Sequence, residues 1–128
     1  MEKLTKAEEE VMLIIWDLEH CTVRDVLDRL KDQDIAYTTV ASIIRLLENK
    51  NYVSHRAIGN TYLFHPAIDK ESYMNSSLKG FLNKYFEGSF TNLASFFATE
   101  NNISMRELRD MMAEVREDLN EDRKKENR

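Results

Sequence analysis

Cysteine and glycine are scarce in this chain of 128 residues, long apolar runs are absent, and basic charge is not in excess. Each absence excludes something. The single cysteine, Cys21, has no partner for an internal disulfide, which fits a reducing compartment. The three glycines, Gly59, Gly80 and Gly88, form no glycine-rich phosphate loop. No apolar stretch approaches the ~18 residues of a membrane span, and the charged opening MEKLTKAEEE lacks the apolar run of a secretion signal. His20, His55 and His65 are scattered, with no cysteine or carboxylate at metal-ligand spacing, so neither zinc nor any other cofactor is expected. No nucleophile–base arrangement is visible. The expectation is a cytoplasmic protein that is not an enzyme and has no direct membrane association.

What is present is a core-forming chain: 42% of residues are hydrophobic, too many for disorder. The net charge of −5 argues, on its face, against nucleic acid. Its distribution argues otherwise. Residues 1–36 carry 5 basic and 10 acidic side chains, and residues 67–128 carry 10 and 12. Residues 37–66 alone are net positive, with Arg45, Lys50 and Arg56 against Glu48. A surface so mildly positive is expected to bind non-specific DNA weakly and to rely on geometry.

The order of elements follows from caps and periodicity. Thr5-Lys6-Ala7-Glu8 fits a capping box, and Leu4, Ala7, Val11, Ile14, Ile15 and Leu18 recur at helical spacing after it. His20 and Cys21 form a short connection with room for one strand position. Thr22 caps a second helix with Val23, Val26, Leu27 and Leu30 on one face, and Asp32-Gln33-Asp34 breaks it. A third helix buries Val40, Ile43, Ile44 and Leu47 and turns Thr38, Ser42, Arg45 and Asn49 the other way, with Glu48 at the boundary. Tyr52 to Ala57 alternates as a strand, Gly59-Asn60 supplies a tight turn, Thr61 to His65 returns, and Pro66 closes the hairpin. Three helices followed by a hairpin make a winged helix-turn-helix. After Pro66 the chain reads as all helical. Asp69 caps a helix ended by Gly88, Ser89 starts a short one, and Ser104-Met105-Arg106-Glu107 is a capping box opening the last. Asn120 to Arg128 is purely polar and is expected to fray. The fold class is mainly α with a small β-hairpin: a winged-helix domain at 1–66 and a helical domain at 67–128.

The outer face of the third helix is the candidate DNA-reading surface. Arg45 suits a guanine edge through two parallel hydrogen bonds, or a phosphate. Thr38, Thr39 and Ser42 are short enough to let the helix sink into a major groove, and their hydroxyls can bond phosphate oxygens. Tyr37 precedes them and either packs or donates its hydroxyl to a phosphate. Arg56, Asn60 and Thr61 lie near the tip of the hairpin, in reach of backbone phosphates; Asn60 serves equally well as a turn residue alone. Lys50 stands where a cation favours a helix end. Any amphipathic helix has a solvated face, and a winged helix serving as a protein–protein adaptor is the competing reading, which the acidic total favours.

Five of the six phenylalanines fall between Phe81 and Phe97. Three helices of about 60 residues cannot bury that much apolar surface alone. Phe81, Leu82, Tyr85, Phe86, Leu93, Phe97, Leu108, Met112 and Val115 are therefore expected to face a second copy in part. Packing on the winged helix of the same chain is the alternative. A homodimer of this kind buries on the order of 2,000 Å² or more.

Three segments, LTKAEEEVMLIIWDL, YTTVASIIRLLENKNYVSHR and KGFLNKYFEGSFTNLASFF, resemble the BlaI/MecI/CopY family of repressors, with Trp16, Thr38-Thr39-Val40 and Gly80-Phe81 in the family's order. The resemblance covers Leu4 to about Val115. It implies a winged-helix domain joined to a helical dimerisation domain, a palindromic double-stranded DNA operator, and repression of resistance genes such as β-lactamase. It also implies, for antibiotic-responsive members, inactivation triggered by a membrane-bound zinc metalloprotease sensor, with cleavage at an Asn-Phe bond. The matching positions here are Phe96 and Phe97, so phenylalanine stands in place of the asparagine. The paired Cys-x-Cys motifs of the copper-responsive branch have no counterpart in this tail.

Overall fold

The computed structural model describes residues 1–126, and the chain divides into two compact units, Met1–Ser77 and Leu78–Arg128. The first unit therefore continues eleven residues past Pro66, into the fourth helix.

In the first unit, α1 (Lys6–Leu18) starts at Thr5 with both arms of its capping box formed, and α2 (Val23–Arg29) starts at Thr22 with a second complete box through Asp25. A 3-10 turn at Lys31–Gln33 and a left-handed Asp34 carry the chain into α3 (Tyr37–Asn49). The hairpin β1 (Val53–Ile58) and β2 (Thr61–Pro66) pairs antiparallel, from Val53 opposite Pro66 to Ile58 opposite Thr61. Only Gly59 of its two loop residues has a positive φ, +60°, the pattern of a type II′ turn, which matches the twist of the strands it joins. Cys21 adds one bridge to Phe64, with N–H···O distances of 2.9 and 2.7 Å, so the connection after α1 anchors the hairpin to the helices.

The core of this unit gathers Val11, Met12 and Ile15 of α1, Val26 of α2, Val40, Ile44 and Leu47 of α3, and Tyr52, Val53 and Phe64 of the hairpin. The buried stripe of α1 is rotated from the one expected: Met12 is fully buried and Ala7 is exposed. The same rotation buries Glu8. Its carboxylate accepts the Thr5 N–H at 2.8 Å and the Lys50 ammonium at 2.7 Å. Burial pushes the Glu8 carboxyl up, but the Lys50 hydrogen bond, the Thr5 N–H and hydroxyl, and the Lys50 charge outweigh it and leave it below its ordinary value. Lys50 also donates to the Lys3 carbonyl at 3.3 Å, and the Tyr52 hydroxyl donates to the Glu2 carbonyl. The end of α3 is thus tied to the start of the chain, a more specific role for Lys50 than helix-dipole compensation. Trp16 donates its indole N–H to the Ile68 carbonyl at 2.8 Å, which holds the segment after the hairpin against α1.

The helix α4 (Lys70–Phe86) begins in the first unit, where the Asp69 carboxylate accepts the Ser72 N–H at 2.7 Å, and ends in the second. Gly88, at φ +78°, returns its N–H to the Leu82 carbonyl and stops it. In the second unit, Ser89 caps α5 (Phe90–Glu100), and the Ser104 hydroxyl takes the Glu107 N–H at 3.1 Å to open α6 (Met105–Glu126), one arm of the box expected there. The helix continues past Asn120, where the sequence reads as a fraying end: the segment to Glu126 consists mainly of good helix formers, with Arg123, Lys124 and Lys125 at its favourable end. Asn127 and Arg128, the last of the residues expected to fray, lie outside the described residues. Leu82 and Ala98 are this unit's buried apolar residues among those described, whereas Phe81, Tyr85, Phe90, Phe96, Phe97, Met111, Met112, Val115 and Leu119 are exposed.

Candidate nucleic-acid interface

Burial of Val40, Ile44 and Leu47 against α1 and α2 decides which side of α3 meets solvent. Tyr37, Thr38, Thr39, Ser42, Arg45, Leu46 and Asn49 are all exposed. The helix starts at Ala36 with no side-chain cap and no acidic residue in its first turn. Its leading N–H groups and the positive end of its dipole are therefore open to an anion, in contrast to α1 and α2, whose starts are closed by their own carboxylates.

One flank of this face forms the wall of a groove of about 550 Å³. Thr22, Val23 and Arg24 line it from α2, Tyr37, Ala41, Arg45 and Glu48 from α3, and His55, Asn60, Thr61, Tyr62 and Phe64 from the hairpin. Four of the expected contact residues, Tyr37, Arg45, Asn60 and Thr61, thus share one concavity. Thr38, Thr39 and Ser42 stand outside it, on the open side of the helix. Arg56 does not lie at the tip. The two-residue turn makes Ile58 and Thr61 the last pair, so Arg56 sits two rungs back, opposite Leu63. Side chains alternate along a strand, and Arg56 therefore projects from the hairpin face opposite His55 and Tyr62.

Three groove residues escape sequence reasoning. Arg24 places its guanidinium 5.4 Å from the centre of the Tyr37 ring, a cation–π contact that brings a second cation to the groove beside Arg45. Its signal was available, as a basic residue in the exposed first turn of α2. His55 and Tyr62 pack with ring centres 4.5 Å apart and planes tilted by 43° on the inner face of the hairpin. His55 also bonds Glu48 through Nδ1, so the one carboxylate lining the groove among the described residues is already engaged by the hairpin. Strand alternation marks His55 and Tyr62 as same-face neighbours, but only the register shows that this face closes on α3.

The candidate dimer residues fall into three environments. Phe81, Tyr85, Phe97, Met112 and Val115 are exposed, and Phe86, Leu93 and Leu108 are half-buried. Leu82 departs from the expectation: it is buried in its own subunit, where α4 ends at the turn its carbonyl helps to close. Phe96 and Phe97 sit in the middle of α5, both with more than half their surface exposed.

Residues 4–117 match the sequence model of the family described as penicillinase repressor. The penicillinase repressor of Bacillus licheniformis is 26% identical over 125 residues, covering 97% of this chain and 96% of its own. The methicillin resistance regulatory protein MecI of Staphylococcus aureus (strain N315) is 22% identical over 110 residues, covering 85% and 89%. Among solved structures, BpsR of Bordetella bronchiseptica superposes with a TM-score of 0.48 at 18% identity, over 93% of this chain and 77% of that one.

Proposed function

The chain belongs to the penicillinase repressor family, a family of transcriptional repressors and not of enzymes, and on that premise we propose that it acts in the cytoplasm as a homodimer reading a palindromic operator. The supporting observation is the groove itself. An uncapped helix start, two guanidinium groups and the amide and hydroxyl of the hairpin tip converge on one concavity, whose single carboxylate among the described residues, Glu48, is engaged by His55. In this reading α3 enters the major groove, Arg45 meets a base edge, and Tyr37, Arg24, Asn60 and Thr61 hold the backbone that runs between helix and wing. Thr38, Thr39 and Ser42 line the approach, and Arg56 reaches phosphates from the outer face of the wing.

The exposed aromatic surface of the second unit supplies the two-fold contact. Phe81, Tyr85, Phe97, Met112 and Val115, with the half-buried Phe86, Leu93 and Leu108, offer a second copy the apolar area that the single chain leaves in water. Two reading helices then address half-sites one or two turns apart, roughly 34 Å per turn. Occupancy blocks transcription, with β-lactam-resistance or stress genes as the targets that family likeness favours. Inactivation by a membrane-bound zinc metalloprotease sensor would act at Phe96–Phe97.

Footprinting of the region upstream of the protein's own gene tests this. The expected result is protection of two inverted half-sites, lost as salt is raised. Arg45→Ala is expected to weaken binding by about 1–3 kcal/mol in a fluorescence-anisotropy titration. Absence of any protected duplex, or unchanged affinity in that variant, would falsify the reading.

A further inference from the structure

On α3, Leu46 is a large apolar side chain left half in water, at 50% exposure, on a face otherwise made of hydroxyls, one amide and one guanidinium. At 3.6 residues per turn it lies about 40° around the axis from Ser42 and about 60° from Asn49. Two rows cross the face: Thr38, Ser42, Arg45, Asn49 along one side and Thr39, Ser42, Leu46, Asn49 along the other. Arg45 and Leu46 are consecutive, about 1.5 Å apart along the axis and about 100° apart around it, Arg45 towards the wing and Leu46 away from it. They are the two side chains of these rows that extend beyond a short hydroxyl or amide, so they reach furthest from the helix.

Their chemistries differ in a way that matters on the floor of a major groove. A guanidinium matches the paired acceptors of guanine, whereas a leucine has nothing to offer a polar edge. The apolar group on that floor is the C5-methyl of thymine. We propose that Leu46 is a specificity residue that packs on a thymine methyl in each half-site, adjacent to the base pair addressed by Arg45. The proposal rests on the DNA-reading role of α3. Placing Leu46 on a methyl removes apolar surface from both partners at once. Placing it on a cytosine or an adenine at the same step buries a polar edge without a partner.

The test uses the full-length protein and a duplex recovered by it from a random-sequence pool. Each thymine is replaced in turn, symmetrically in both half-sites, by deoxyuridine, which removes the methyl and keeps the pairing. Wild type is expected to lose about four-fold in affinity per half-site at one thymine, on the scale of burying one methyl group. Leu46→Ala is expected to bind the thymine and deoxyuridine duplexes equally, with Leu46→Met restoring the discrimination. Indifference of wild type to every methyl, or discrimination retained in Leu46→Ala, overturns the assignment. If Arg45→Ala still weakens binding in that case, the DNA-reading role stands and only the Leu46 contact fails. A pool that yields no enriched duplex overturns both.

Discussion

The two compact units treat apolar surface in opposite ways. In the first, three helices and a hairpin close over Met12, Ile15, Ile44, Leu47 and Tyr52, each at or near zero exposure. In the second, a smaller supply of large apolar side chains encloses little more than Leu82 and Ala98. Geometry adds to the difference in supply. The first unit has elements on several sides of a common centre, including a sheet that acts as a lid over the helices. Helical segments with phenylalanines spread around their circumference can cover one another only in part. One unit closes its apolar surface within the single chain, and the other leaves most of its large apolar side chains exposed.

The strongest way to break this contrast is to charge the unfinished surface. Phe97→Asp is expected to weaken self-association by on the order of 3 kcal/mol, more than 100-fold, in sedimentation velocity. The native fold of the first unit should persist, as read by near-ultraviolet signals from Trp16. A variant that stays dimeric would mean that another surface holds the copies together.

The next effect falls on the finished unit. Lys50→Met leaves the Glu8 carboxylate buried without its cation, and is expected to cost about 2–3 kcal/mol in urea unfolding, less than a fully enclosed pair because Lys50 is partly exposed. The same pair sets a pH dependence. The folded-state value of Glu8 lies below its unfolded one, so its contribution is complete above the unfolded value, about 4.3, and disappears as the pH falls through the lower folded value. The stability gap between wild type and Glu8→Gln should therefore shrink on acidification, and a gap that stays constant would contradict the ion-pair account.

The smallest effect sharpens the comparison. Cys21 is fully buried, and its thiol is pushed up to about 11, first by burial and then by the nearby Asp25 charge. In native protein near pH 8 a thiol reagent should react only as fast as the first unit opens. Prompt stoichiometric labelling would show that this core is not closed.

Much of the first unit was readable in the sequence because its signals are local. The capping box at Thr5, the cap at Thr22, the apolar spacing of α3 and the glycine of the hairpin turn each act within a few residues. The unforeseen features depend on contacts between distant segments. Glu8 looks like an ordinary capping residue until Lys50, forty-two positions later, meets it. Arg24, His55 and Tyr62 become groove residues only when α2, α3 and the hairpin are brought together. Leu46 reads as one more apolar position until burial of Val40, Ile44 and Leu47 fixes the helix rotation and leaves it outside. In the second unit the apolar residues were recognisable, but individual burial was not: Leu82 turned inward while its neighbour Phe81 stayed out.

The type II′ turn at Gly59-Asn60 imposes a parity rule on the wing. Because residues on β2 alternate between faces, one residue inserted into that loop without a compensating bulge would reverse every side chain from Thr61 to Pro66, expelling Phe64 from the core and carrying Leu63 into its place. A single inserted residue is therefore accommodated only where the loop widens to three residues with a bulge and keeps Ile58 opposite Thr61. Engineered versions with longer or shorter reach along DNA should be built by adding or deleting cross-strand pairs.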